Sequence, residues 1–125
     1  MSGTGAPSRK VPQIVDARIA IVTAQWHQEI SDALLSGAQR ACRQAGVTQV
    51  QVERVAGSFE LPLAAQVLLD SGFDAVVVLG LVLRGETPHF DYICDGVTSG
   101  EMYVMLKTGR PIGFGVLMCD TLAQA

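Results

Sequence analysis

Residues 74–91, with the sequence DAVVVLGLVLRGETPHFD, determine the fold of this chain. The run Ala75–Leu83 contains no charged or polar side chain, and it gives way at once to a polar segment that begins at Arg84. Because the run does not alternate and β-branched residues dominate its first half, it is typical of a strand covered on both faces. Such strands belong to parallel sheets, whose ligands bind beyond the carboxyl ends of the strands. We therefore expect the functional site in the loop that starts at Arg84.

The flanking sequence supplies three more strands and three helices. The predicted strands are Arg18–Ala24, Val50–Val55 and Pro111–Met118. The predicted helices are Glu29–Gln44, one with Pro62 in its first turn that is ended by Ser71 and Gly72, and one at about Asp91–Thr108. This alternation of strands and helices predicts an α/β fold with an open, mostly parallel four-stranded sheet between helices. Val50–Val55 carries polar residues on one side and is placed at the sheet edge. Asp120 and Thr121 form the N-cap of a fourth helix that begins at Leu122.

Composition indicates one folded domain. The chain has 125 residues, of which 49 % are hydrophobic, and the first 17 residues are predicted to form a flexible arm. A net charge of -3, with scattered basic residues, argues against a nucleic-acid partner. No apolar run reaches the roughly 20 residues of a membrane span, and no signal peptide is recognisable, so the sequence predicts a cytoplasmic protein. The three cysteines are far apart and are predicted to be core residues rather than disulfide or metal ligands.

His89 is the first candidate for chemistry. Backbone N–H groups of Gly85–Thr87 and the start of the third helix could hold an anion beside its imidazole. Histidine changes its charge near neutral pH and suits general acid–base catalysis, although a histidine in a loop can also be purely structural. His27, in the loop after the first strand, has a weaker claim.

Five other residues are candidates, and four of them have two interpretations each. Trp26, the only tryptophan, could stack on a flat heterocycle or simply cover the core. Phe59 and Glu60 follow the second strand, and the Glu60 carboxylate could accept hydrogen bonds from ligand hydroxyl groups or be a solvated acid at a helix start. Arg84 could bind phosphate or pair with a carboxylate across a subunit boundary. Phe114, between two glycines, allows a close approach by a ring or backbone, or packs in the core.

Several common sites lack their sequence signatures. No G-x-G-x-x-G follows the first strand, no G-x-x-x-x-G-K-[ST] is present, and no metal-ligand spacing occurs. A flavodoxin-like carrier of FMN is disfavoured because no Ser/Thr-rich phosphate loop follows the first strand.

Three motifs together resemble a known family. They are GSFELP at Gly57–Pro62, LGLVLRGETPHFDY at Leu79–Tyr92 and GFGVL at Gly113–Leu117. Their order and spacing are similar to those of the 6,7-dimethyl-8-ribityllumazine synthases, and the resemblance runs from about Arg18 to Ala125.

The resemblance implies a flavodoxin-like α/β/α sandwich and a specific reaction. Members of that family condense 5-amino-6-(D-ribitylamino)uracil with 3,4-dihydroxy-2-butanone 4-phosphate and release phosphate and water, without a cofactor. Their sites lie between neighbouring subunits of a homopentamer, and in some members twelve pentamers form an icosahedral shell. The implied partners are therefore two small-molecule substrates and further copies of the chain.

The resemblance also implies roles for individual residues. Trp26 matches the aromatic residue that stacks on the pyrimidine, and the turn Ser58, Phe59 and Glu60 matches the segment that holds the ribityl chain. The backbone of Leu81, Val82 and Leu83 matches the strand end that reads the pyrimidine edge. Gly85, Glu86 and Thr87 match the phosphate loop, and His89 matches the proton shuttle. Phe114 matches a residue that the adjacent subunit contributes.

Three departures from the family pattern are visible. Ala56 replaces a proline and should only loosen a turn. Glu101 falls on the apolar stripe of the third helix, where a carboxylate is costly unless it is paired or hydrated; we hypothesise that it forms a ring in a channel of the assembly or weakens that assembly. The family's final helices, which supply an arginine for the substrate phosphate, have no counterpart before Ala125. The alternative prediction is therefore a catalytically impaired ligand-binding or shell-assembly protein on the same fold.

Overall fold

The computed structural model describes residues 3–125 as a four-stranded sheet with helices on both faces. The strand order is β2-β1-β3-β4, and all three pairings are parallel. The elements are β1 (Arg18–Ala24), α1 (Gln28–Gln44), β2 (Gln49–Val55), α2 (Leu61–Asp70), β3 (Ala75–Leu83), α3 (His89–Thr108) and β4 (Ile112–Cys119), with 3-10 turns at Ser58–Glu60 and Leu122–Gln124. The predicted α/β class, the parallel sheet and the edge position of β2 are confirmed.

Strand β3 is the centre of the molecule, as its unbroken apolar run predicts. Val77 of β3 lies opposite Ile21 of β1 and Gly113 of β4. One face of the sheet packs on α1 through a cluster that includes Ile21 and Leu35, and the other packs on α2 and α3 through a larger cluster. Burial on both faces is why the strand needs no polar alternation.

Glycine and proline set the helix limits where the sequence predicts them. Gly46 after α1 and Gly109 after α3 have φ values of 75° and 67°, in the left-handed region that glycine adopts without a steric penalty. Pro62 lies in the first turn of α2, where its missing N–H costs no helical hydrogen bond.

The segment after β4 differs from its prediction. Thr121 is extended and precedes a single 3-10 turn rather than the first turn of an α-helix. The Gln124 side-chain oxygen accepts hydrogen bonds from the backbone N–H groups of Asp120 and Thr121, at 2.8 and 3.3 Å. Leu122 is exposed, so no apolar packing favours a wider α-helical turn at this point.

The N-terminal arm has no regular secondary structure from residue 3 to residue 14, and its first two residues lie outside the described part of the chain. Its later part contacts the end of α1, where the N–H of Ile14 donates to the carbonyl of Ala45 at 2.9 Å. Gln13 donates from its side chain to the carbonyl of Gln44 at 2.8 Å. The flexibility of the arm stays a prediction.

Two further sequence expectations can be compared with the packing. Cys42 and Cys119 are buried and Cys94 is half-buried, as predicted for core residues. On the α1 side of the sheet, the half formed by β3 and β4 is less covered, as the half-buried Leu117 and the exposed Gly113 show.

No helix within residues 3–125 is both long and apolar enough to cross a membrane.

Glu101 lies on the inner face of α3, so the hypothesis of a carboxylate ring in an assembly channel is wrong. Its side chain is 2 % exposed and is flanked along the helix by the buried residues Val97 and Val104. Neither carboxylate oxygen has a hydrogen-bond partner within residues 3–125. Burial away from water raises the pKa of Glu101 to about 7, because the charged form loses its hydration.

Candidate active site

The carboxyl edge of the sheet carries a pocket of about 820 Å³, a size typical of small-molecule sites. Ten of the twelve residues selected from sequence lie on its wall: Trp26, Ser58, Phe59, Glu60, Leu81, Val82, Leu83, Gly85, Thr87 and His89. Glu86 and Phe114 do not. Both are exposed, and Phe114 lies on the edge strand β4. The pocket is thus where parallel strands are expected to present a ligand site.

Trp26 forms one corner of the pocket. It follows β1, and its ring lies so close to Gly57 that a Cβ on that glycine would be 3.3 Å from the indole Nε1. Gly57 in turn donates its N–H to Oε2 of Glu60 at 2.9 Å. The indole remains 66 % exposed, which leaves it accessible to a flat ligand. Gly57 therefore allows the indole ring of Trp26 and the carboxylate of Glu60 to lie at the same corner of the pocket.

Ser58 lies on the floor of the pocket. Its hydroxyl is buried and has no hydrogen-bond partner among the described residues. A Cβ on Gly80, in the middle of β3, would lie only 2.5 Å from this hydroxyl, so the approach requires glycine at position 80. A buried hydroxyl without a hydrogen-bond partner lowers the stability of the folded chain.

Phe59 is positioned by helix α3. The ring is 59 % exposed, and a Cβ on Gly96 would meet its Cε1 atom at 3.0 Å. Its ring therefore rests on a glycine of α3 while lining the pocket.

The loop 85–88 and His89 form the opposite side. His89 is the first residue of α3, and its N–H lies 3.4 Å from Oγ1 of Thr87. A Cβ on Gly85 would meet nothing within 4 Å, so there is room beside this backbone for a ligand. Because α3 has 20 residues, its first turn presents N–H groups and a partial positive charge to this space. An anion could bind here with an imidazole beside it.

Arg84 pairs with carboxylates, which is one of its two sequence interpretations, but both partners belong to the same chain. Its Nε donates to Oδ1 of Asp120 at 2.6 Å, and its NH1 lies 3.5 Å from Oδ1 of Asp91. The hydrogen bond to Asp120 is the main reason that the pKa of Arg84 is raised further above its usual value.

The sequence interpretation missed other residues on the wall. Phe90 and Ile93 were not among the residues selected from sequence, yet both line the pocket. For Ile93 the available signal was its position four residues after His89, because residues four apart share a helix face. His27 also lines the pocket and has φ 53°, a left-handed conformation in which histidine is enriched among non-glycine residues.

Comparison with known proteins identifies the family. The sequence profile of 6,7-dimethyl-8-ribityllumazine synthase matches residues 16–125. Proteins of that name from Streptomyces coelicolor and Kineococcus radiotolerans are 52 % and 54 % identical to this chain over 125 residues. The one from Streptomyces avermitilis is also 52 % identical. The alignments cover all of this chain and 77–78 % of each relative. This chain therefore belongs to the 6,7-dimethyl-8-ribityllumazine synthase family.

Proposed function

We propose that this chain catalyses the condensation of 5-amino-6-(D-ribitylamino)uracil with 3,4-dihydroxy-2-butanone 4-phosphate to 6,7-dimethyl-8-ribityllumazine. The observation that carries the proposal is the single pocket that joins Trp26, Glu60 and His89 to the loop 85–88. These groups supply an aromatic plate, a hydrogen-bond acceptor, a proton carrier and an anion site. That combination matches a flat heterocycle with a polyhydroxy chain and a phosphorylated second substrate.

The pyrimidine substrate occupies the side of the pocket formed by Trp26 and β3. Its ring stacks on the indole, and its polar edge meets the backbone at Leu81, Val82 and Leu83, where β3 ends. The ribityl chain runs to the turn Ser58–Glu60. There the Glu60 carboxylate, which already accepts one N–H, still has capacity for hydroxyl donors.

The four-carbon phosphate occupies the other side. The backbone of the loop Gly85, Glu86 and Thr87 together with the first turn of α3 binds its phosphate. Gly85 and Thr87 line the pocket, and Glu86 lies between them in the chain. The 5-amino group of the pyrimidine attacks the ketone, water leaves to give an imine, and phosphate leaves by β-elimination. The ribitylamino nitrogen then attacks the remaining carbonyl carbon, and ring closure expels a second water. His89 lies between the two substrates and relays the protons of these steps. Holding the substrates together supplies much of the remaining acceleration.

We also propose that the active form is a homo-oligomer, a pentamer or a multiple of it. Large apolar side chains are more than half exposed on α2 and α3 of the single chain: Leu63, Val67, Tyr92, Met102, Tyr103 and Leu106. Such a surface is typical of a face buried by a partner. Phe114, which is off the wall of its own pocket, then reaches the site of a neighbouring copy. The three unpaired cysteines fit a reducing cytoplasm as the place of action.

One assay tests the activity. Purified protein is mixed with both substrates, and lumazine formation is followed optically against the uncatalysed reaction. The proposal predicts turnover that saturates in both substrates, and a rate no higher than the background would overturn it. Light scattering of the same sample tests the oligomer, which a monomer mass would contradict.

A further inference from the structure

Arg84 has a contact pattern that phosphate binding does not explain. It lines the pocket directly before the loop 85–88, but two of its nitrogen atoms face carboxylates of its own chain. Its guanidinium also stacks on the ring of Phe90, with the central carbon 4.3 Å from the ring centroid. Two acids and an aromatic ring thus surround one cation, which is a poor arrangement for attracting a further anion.

These contacts join both ends of the same loop. Arg84 is the residue before Gly85, whereas Phe90 and Asp91 lie in the first turn of α3, directly after His89. The side chain of the residue that opens the loop therefore touches the element that closes it. One planar guanidinium group, whose N–H groups donate in fixed directions, thus links the end of β3 to the start of α3.

The third contact anchors this pair to a fixed part of the fold. The N–H of Arg84 donates to the carbonyl of Cys119 at 2.9 Å, which extends the β3–β4 ladder by one residue. Asp120, directly after β4, accepts the hydrogen bond from Nε of Arg84 at 2.6 Å. Its own backbone N–H donates to the side chain of Gln124 at 2.8 Å. The turn after β4 thereby holds the carboxylate in place.

We propose that Arg84 is a positioning residue: with Asp91 and Asp120 it fixes the loop 85–88 and the orientation of His89 without binding the substrate phosphate itself. This inference rests on the proposed function, because the loop is the phosphate site and His89 the proton carrier in that proposal. It gives Asp91 and Asp120 the same role as Arg84.

The energies separate this role from a general contribution to stability. The side chains of Arg84, Asp91 and Asp120 are 45 %, 62 % and 64 % exposed, and exposed ion pairs contribute little to folding. A small displacement of reacting groups has a much larger effect on rate than on stability. Removal of the ion pairs should therefore impair the site in a chain that still folds.

The test compares Arg84→Gln, Asp91→Asn and Asp120→Asn with the wild-type chain. Arg54→Gln is the matched control, since Arg54 forms an exposed pair with Asp32 at 3.6 Å, at a similar exposure of 47 %, on the opposite edge of the sheet. In Arg84→Gln we expect the KM for the four-carbon phosphate to rise about tenfold and kcat to fall about tenfold. The KM for the ribitylaminopyrimidine should stay unchanged. The two Asp→Asn variants should show the same pattern to a smaller extent, and Arg54→Gln should behave as wild type.

A second readout does not depend on turnover. Hydrogen–deuterium exchange is measured over residues 84–92, with and without inorganic phosphate. We expect faster exchange in the first turn of α3 in all three variants, and weaker slowing by phosphate than in wild type. If Asp91→Asn and Asp120→Asn bind phosphate as well as or better than wild type while Arg84→Gln loses it, Arg84 is a direct ligand and the positioning role is overturned. Exchange in the variants equal to wild type would overturn it as well. An inactive wild-type chain would instead overturn the proposed function, and the exchange without phosphate would still test the contacts of Arg84.

Discussion

Polar side chains at two places on helix α3 differ in their exposure to water. At its first turn, His89 and Asp91 are exposed, and Asp91 faces the guanidinium of Arg84. Three turns further along, Glu101 is buried without a hydrogen-bond partner in residues 3–125. The first turn carries groups that can contact a ligand or a counter-ion, whereas the middle of the helix carries a carboxyl group without a partner among residues 3–125.

The difference shows how position decides the cost of a polar group. An exposed acid keeps its hydration, and its pairing adds little stability. A buried acid loses hydration and must either find a partner or take up a proton. Glu101 takes the second course, because burial raises its pKa to about 7. Substitutions in the first turn of α3 should therefore change the catalytic rate, whereas substitutions in its buried middle should change the free energy of unfolding.

The largest effect is expected at the site end, from His89→Ala. Loss of a positioned proton carrier should lower kcat by about 10²- to 10⁴-fold. The free energy of unfolding should change by less than about 0.5 kcal/mol, because His89 is exposed. Steady-state kinetics and urea unfolding measure the two quantities. The control is His27→Asn, in the same pocket, where asparagine tolerates the left-handed backbone and the loss of kcat should be much smaller. An undiminished kcat in His89→Ala would exclude the proposed role.

In the core, Glu101→Gln should change stability rather than catalysis. Below about pH 4.5 the carboxyl group is neutral in the folded and the unfolded chain. Between pH 4.5 and 7 the unfolded chain releases its proton while the folded chain keeps it, so the folded state loses stability as pH rises. The loss is at most about 3 kcal/mol and is complete above pH 7. Glutamine does not titrate, so this variant should lack the loss.

Urea unfolding of the wild-type chain and Glu101→Gln from pH 4 to pH 8 measures this difference. The stability advantage of the variant should grow through the interval from pH 4.5 to 7. Glu29→Gln, which removes an exposed carboxylate from the first turn of α1, serves as the control and should follow the wild-type curve. Parallel curves for wild type and Glu101→Gln would show that Glu101 does not titrate differently in the folded state.

The same helix shows how far sequence alone could predict the fold. The apolar run of β3 and the glycines after α1 and α3 have direct local causes, so the order of elements follows from them. Helix α3 is harder, because Tyr92, Met102, Tyr103 and Leu106 make its outer face apolar too. Periodicity placed Glu101 on an apolar stripe, but it could not exclude a channel wall, since it does not say which stripe faces the chain's own core.

The pocket wall was predictable where it is formed by the loop itself and unpredictable where it depends on contacts between distant parts of the chain. His89 and Gly85 could be selected because a polar loop follows a buried strand. The pairing of Arg84 with Asp120, 36 residues away, depends on the final register of β3 and β4. Likewise, the hydroxyl of Ser58 lies beside Gly80 only after the sheet has formed. No local pattern encodes these contacts.

A smaller effect at the site end is expected from Trp26→Ala. Loss of stacking on the pyrimidine should raise the KM for the ribitylaminopyrimidine about tenfold. Trp26→Phe keeps a flat ring and should recover most of the loss. Because the indole is 66 % exposed, neither variant should change the unfolding free energy by more than about 1 kcal/mol. An unchanged KM in Trp26→Ala would mean that the ring only covers the sheet edge.

The smallest effect is expected from Glu60→Gln, the same chemical change as Glu101→Gln at an exposed position. The amide oxygen can still accept the N–H of Gly57, so the turn should keep its shape. A neutral acceptor forms weaker hydrogen bonds than a carboxylate, by about 1 kcal/mol, so the KM for the ribityl substrate should rise about fivefold. The free energy of unfolding at pH 7 should stay close to the wild-type value. If instead Glu60→Gln altered stability and left KM unchanged, the carboxylate would stabilise the turn and not the ligand. Glu60 would then resemble Glu101 in affecting stability rather than substrate binding, although it lines the pocket.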